Sequence, residues 1–179
     1  MRIHILGASG TGTTSIGRKL AENNITPFFD IDDIFWKKSD IPFTVRRDIN
    51  ERKEKLSSII SNNKDWIISG AAVGWGDQLL HFSDCIILLR CLTKTRIERL
   101  KKREIEQFGD RILPGNDMYE NYMQFMEWAS FYDTGGMNVR SLSLHKSWLS
   151  KAQCPVIQVV NDDFDKTILL IENKLKKFI

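Results

Sequence analysis

The chain has 179 residues, enough for one domain with a buried core and no need of disulfide staples. Its formal charge of +3 is mild and its basic residues are scattered, which gives little footprint for nucleic acid, and its 3 distant cysteines form no C-x-x-C, which argues against a disulfide framework or a zinc ribbon. No apolar run approaches a membrane span, and the first strand begins almost at Met1, which leaves no place for a signal peptide and predicts a cytoplasmic protein.

Arg2 to Leu6 reads as a short apolar strand, followed by a glycine loop and a helix from Thr13 to Asn23. Asn23 and Asn24 stop that helix, and Pro27 opens a second strand from Phe28 to Ile31. Pro42 precedes a charged helix over Thr44 to Asn62, and Trp66 to Ser69 is a third strand ended by Gly70. Cys85 to Leu89 is apolar throughout, as expected of a strand buried on both faces. A helix from Thr93 to Phe108 follows, and residues 109–140 hold loop signals around a helix from Met118 to Phe131. Pro155 to Val160 is a fifth strand, and Phe164 to Phe178 a last amphipathic helix. Strands alternating with helices predict right-handed crossovers, a parallel sheet and an α/β fold, with ligands at the carboxyl ends of the strands.

The glycine loop, the Asp30 cluster, Gly70 and Arg90 follow strands directly and are expected to converge on that rim, and four groups of residues carry the chemistry. Gly7-Ala8-Ser9-Gly10-Thr11-Gly12-Thr13-Thr14 is the phosphate-loop pattern G-x-x-x-x-G-K-[ST] with Thr13 in the lysine position. Gly7, Ser9, Gly10, Thr11, Gly12, Thr13, Thr14 and Ser15 are the candidate phosphate-binding residues, and Thr14 fills the magnesium-hydroxyl position. A dinucleotide-binding turn fails on the same stretch, because its third glycine falls on Thr13. Asp30, Asp32 and Asp33 follow the second strand, where carboxylates can hold magnesium waters or accept a hydroxyl proton. Strand alternation would put Asp30 and Asp32 on one side, and Asp33 could instead cap a short helix.

Arg96, Arg99 and Arg103 share a helical face, which suits either phosphate oxygens or plain solvent. Gly70, Trp75 and Asp77 lie in a glycine-rich turn where Trp75 could stack on a ring or fill a core gap, and Asp77 could accept a hydrogen bond from a sugar or hydroxyl. His4, His81 and His145 lack a partner pattern and read as structural, and Trp66, Trp128 and Trp148 read as core.

These stretches resemble the nucleoside monophosphate kinase group, meaning adenylate kinase, shikimate kinase and their small-kinase relatives. The glycine loop, Phe28-Phe29-Asp30-Ile31-Asp32 and the Cys85–Leu89 strand followed by Arg99-x-x-x-Arg103 carry the likeness. Small bacterial proteins labelled adenylate kinase-like or "DNA topology modulation protein" look most similar. The resemblance implies a three-layer P-loop NTPase fold: a five-stranded parallel sheet flanked by helices, with a helical lid at about residues 104–140 of a single domain spanning 1–179. It implies an ATP-dependent phosphotransferase that uses magnesium and acts on a nucleotide or another small hydroxyl or phosphate acceptor, as a monomer or homodimer. Phe28-Phe29-Asp30-Ile31-Asp32 is similar to the F-x-D-x-D of shikimate kinase-like enzymes, where the acids serve metal and acceptor. That assigns Thr14 and Asp30 to the metal and Asp32 to the acceptor. Arg99 and Arg103 look like the lid-hinge arginines of adenylate kinase, with Arg111 and Arg140 as further phosphate ligands. The D-G-[FY]-P-R motif of true adenylate kinases is replaced by Ser69-Gly70-Ala71. The alternative reading is a catalytically weak or inactive nucleotide-binding regulatory protein.

Overall fold

The computed structural model describes residues 1–178. Strands β1 (Arg2–Gly7), β2 (Phe28–Asp30), β3 (Trp66–Ser69), β4 (Cys85–Arg90) and β5 (Val156–Val160) form one parallel sheet in the order β2-β3-β1-β4-β5. The three inner strands are nearly continuous apolar runs because both of their faces are covered. Strand pleating divides the core into two layers. Ile3, Ile5, Ile87 and Leu89 face helices α1 (Thr13–Asn24) and α8 (Phe164–Leu175), through Ile16, Leu20, Ile168 and Ile171. Leu6, Trp66, Ile68, Ile86 and Leu88 point the other way. They meet α2 (Ile31–Phe35), α3 (Ile49–Asn62), α4 (Gln78–Phe82) and α7 (Leu142–Leu149), through Ile31, Leu56, Leu79 and Trp148.

Beyond β4, helix α5 (Thr93–Phe108) and helix α6 (Tyr119–Ser130) enclose a small core of their own around Leu100, Met126 and Ala129. Short 3-10 turns over Gly109–Ile112 and Phe131–Asp133 flank α6. No helix among the described residues is long and apolar enough to cross a membrane.

Several boundaries differ from the sequence expectation, each for a local reason. The charged helix begins at Ile49 rather than Thr44. The chain from Trp36 to Arg47 doubles back as an extended pair, with Lys37 N–H donating to Val45 O at 2.8 Å, and Asp48 then caps α3 by accepting from Asn50 N–H at 2.8 Å. The second strand stops at Asp30, which caps α2 instead of continuing the pleat. Helices α4 and α7 were not expected, and α2 answers only to the alternative of a short helix near Asp33; α2 and α4 have 5 residues each, too few to show a helical period. Trp128, expected in the core, is 38% exposed.

Candidate active site

The loop between β1 and α1 owes its shape to its glycines. Gly10 (φ 80°) and Gly12 (φ 89°) adopt the left-handed conformation. Thr11 is buried, and both its hydroxyl (2.7 Å) and its N–H (3.2 Å) donate to Ala8 O, which curls the loop back on itself. No side chain caps the first turn of α1, so its free N–H groups face the space enclosed by the loop. The loop also packs tightly from outside: a Cβ on Gly10 would lie 2.7 Å from Arg96 O. Gly10→Ala therefore meets both a forbidden backbone angle and a clash. It is expected to cost about 1–3 kcal/mol, read as a lower denaturation midpoint; an unchanged midpoint would show that the loop has another conformation.

Asp30 joins this loop to the second strand. Its Oδ2 accepts from the Thr14 hydroxyl at 2.8 Å, and its Oδ1 accepts from Asp32 N–H at 3.0 Å. The acids are thus neighbours through a helix cap, not through strand alternation, because Asp32 lies in the first turn of α2; the cap is Asp30, not Asp33. Asp32 itself is solvent-exposed. Its surroundings and the nearby Asp30 push its pKa above the usual carboxylate value, and Arg140 and Arg103 oppose the shift. Thr14 and Asp30 offer two hard oxygens side by side, which suits magnesium, an ion commonly held by one or two carboxylates together with substrate phosphates. On the outer side of Asp30, a cavity of about 340 Å³ is lined by Phe28, Phe29, Asp33, Ile34 and Lys55.

The arginines of α5 divide by depth. Arg96 is buried (0% exposed) and binds Ser9 O at 3.2 Å, Ala129 O at 3.2 Å and Asp133 Oδ2 at 3.0 Å. It is a tie between the loop, α6 and the turn after α6, and fits neither of the two alternatives its spacing offered. Arg99 is half-buried, and its Nη2 donates to Asn161 O at 3.4 Å. Arg103 is 52% exposed and pairs with Glu104 at 2.8 Å. From the segment after α6, Arg140 Nη2 donates to Gly7 O at 3.0 Å, and its guanidinium carbon lies 5.5 Å from the centre of the Trp128 ring.

Two residues that the sequence did not single out hold the site together. Asn161 Nδ2 donates to Thr11 O at 2.7 Å, and a Cβ on Gly12 would come within 2.8 Å of that same nitrogen. Asp133 accepts from the Thr93 hydroxyl, from Arg90 (3.2 Å) and from Arg96 (3.0 Å). Asn161 was within reach of sequence reasoning, since it directly follows the fifth strand on the ligand rim.

The other expected residues are not all gathered here. Gly70 (φ 108°) ends β3 on the rim, and its carbonyl accepts from His4 Nε2 at 2.8 Å. Burial pushes the His4 pKa down to about 4, so that ring is neutral and structural. Burial likewise pushes His145 down to about 3, and its Nδ1 bonds the Tyr132 hydroxyl at 2.8 Å. Trp75 is 7% exposed and fills the core beside Phe35, which leaves no ring face for a base. Asp77 accepts from Trp148 Nε1 at 2.7 Å, and Arg111 forks onto Asp117 at 2.6 Å in the exposed segment before α6. None of these three side chains contacts the loop.

Residues 3–121 match a protein family described as an AAA domain. The chain is 41% identical over 160 residues to the uncharacterized protein YqaC of Bacillus subtilis (strain 168), covering 89% of this chain and 88% of that one. It is similar in structure to shikimate kinase from Bacteroides thetaiotaomicron, with a TM-score of 0.57 and 16% identity over 98% of each chain. It is similar as well to deoxyadenosine kinase from M. mycoides, with a TM-score of 0.52 and 19% identity over 99% of this chain and 100% of that one. At such identities the likeness establishes the fold and not the substrate. The glycine loop and the strand order therefore have the fold the resemblance implied, and the chain belongs to the AAA domain family.

Proposed function

We propose that the protein is an ATP-dependent phosphotransferase acting on a nucleotide or another small molecule with a hydroxyl or phosphate acceptor. The observation that carries this reading is the 2.8 Å bond between Thr14 of the glycine loop and Asp30 at the end of β2. A loop that only bound an anion would gain nothing from a carboxylate at its mouth; a loop that holds a metal-bound nucleotide needs one. When bound, magnesium supplies charge neutralisation on the phosphates, held by Thr14 and Asp30. The loop N–H groups of residues 9–15 hold the inner phosphates, in the manner of a helix N-terminus.

Asp32 takes the proton of the acceptor hydroxyl as that oxygen bonds to the γ-phosphorus. The bond from phosphorus to the β–γ bridging oxygen breaks, ADP leaves, and the proton passes to solvent. Arg99 and Arg103 approach from the hinge of a lid spanning about residues 104–140, whose closure excludes water.

A second reading, a nucleotide-binding protein without turnover, is favoured by Thr13 in the lysine position. One assay separates the two. Purified protein with ATP and magnesium is expected to melt at a higher temperature and to transfer phosphate within a panel of nucleosides, nucleotides and sugars. A thermal shift with no transfer selects the second reading. Neither shift nor transfer would remove both.

A further inference from the structure

A phosphate loop without its lysine lacks the cation that reaches the outer phosphates. Among the described residues, Arg90, Arg96, Arg103 and Arg111 each hold a carboxylate. Arg140 holds none. Its Nη2 donates to the carbonyl of Gly7, the first glycine of the loop, at 3.0 Å. Its Nε is shut off from solvent and has no hydrogen-bond partner. The guanidinium is held in place over Trp128, its carbon 5.5 Å from the ring centre. A cation kept beside the loop with a buried donor left open is poised for an anionic ligand, because an unmet buried donor costs free energy until an acceptor arrives.

We propose that Arg140 supplies the positive charge missing at Thr13, binding the outer phosphates of a nucleoside di- or triphosphate. This rests on the kinase-like reading of the site above. Arg99 is the competing candidate, since it too lacks a carboxylate among the described residues. However, Arg99 reaches only Asn161 O, at 3.4 Å, and does not touch the loop.

The test is charge rescue, read as binding of magnesium-ATP, ADP and AMP by calorimetry. Arg140→Ala is expected to weaken ATP binding roughly 10- to 100-fold, the loss expected for a charged hydrogen-bonding partner, and AMP binding much less. Thr13→Lys in the otherwise intact chain is expected to keep or raise ATP affinity. Combined with Arg140→Ala, it is expected to return most of the lost ATP affinity, because the lysine places a cation at the same phosphates. Arg140→Lys keeps the charge and is expected to lie between the intact chain and Arg140→Ala, which guards against a loss due to folding alone. If the intact protein binds ATP but Thr13→Lys fails to rescue Arg140→Ala, or rescues Arg99→Ala instead, the assignment to Arg140 is wrong and the kinase-like reading stands. If the intact protein binds none of the three nucleotides, both fall.

Discussion

Asp30→Asn is expected to lower phosphoryl transfer by roughly 10²–10⁴-fold while leaving the fold in place. The substitution is chosen because Asp30 has two jobs that asparagine separates. Its Oδ1 caps α2 by accepting from Asp32 N–H at 3.0 Å, and asparagine caps a helix as well as aspartate does. Its Oδ2 presents a negative charge to the Thr14 hydroxyl at 2.8 Å, and asparagine cannot. The melting temperature should therefore change little and the magnesium concentration needed for half-maximal rate should rise. Nucleotide binding measured without magnesium should be nearly unaffected. Asp30→Ala would add the loss of the cap, about 1 kcal/mol of stability, and so mix the two effects. Unchanged turnover and magnesium dependence in Asp30→Asn would show that the carboxylate only shapes the turn.

How far the site could be read in the sequence depended on whether a residue's role is local. The glycine loop was legible because left-handed backbone at Gly10 and Gly12 needs glycine, and glycine leaves a pattern. The inner strands were legible because burial on both faces leaves continuous apolar runs, as in Cys85–Leu89. Asp30 was found as a residue, but its geometry was not: alternation assumed a strand where a two-residue cap had already turned the chain into α2. Arg96 shows the other limit. Its spacing with Arg99 and Arg103 marks a helical face, yet only the tertiary fold, by bringing Ser9, Ala129 and Asp133 around it, makes that position fully buried. A partner 37 residues away, such as Asp133, leaves no periodic trace. Trp75 and Asp77 followed the right strand on the right rim, but the chain turns them into the core and toward Trp148.

Asp133→Asn is expected to be the most destabilising polar substitution in this part of the molecule, at about 3 kcal/mol. Removing one partner of a buried ion pair costs roughly 3–5 kcal/mol because the remaining charge is left uncompensated, and the 26% exposure of Asp133 puts this pair at the lower end. Arg96 has no alternative carboxylate within reach among the described residues, and its side chain is 1% exposed. For a chain of this length the loss corresponds to a fall of roughly 6–12 °C in melting temperature. The pH dependence gives the cause. Burial pushes the Asp133 carboxyl up, but the Thr93 hydroxyl and the Arg96 and Arg90 guanidinium groups outweigh it and hold the group below the usual carboxylate range. Its contribution to stability is therefore complete above the ordinary carboxylate pKa and is lost as pH falls through the lowered folded value. Asp133→Asn should remove that acid-side loss, so that the two proteins converge in stability as pH drops and diverge toward neutrality. A constant gap across pH would mean that packing, not charge, is responsible. Because Arg96 also binds Ser9 O at 3.2 Å, the same substitution frees the back of the phosphate loop. ATP affinity should therefore fall even at temperatures where the variant remains folded, since a loop that must be ordered on binding draws that cost from the binding energy.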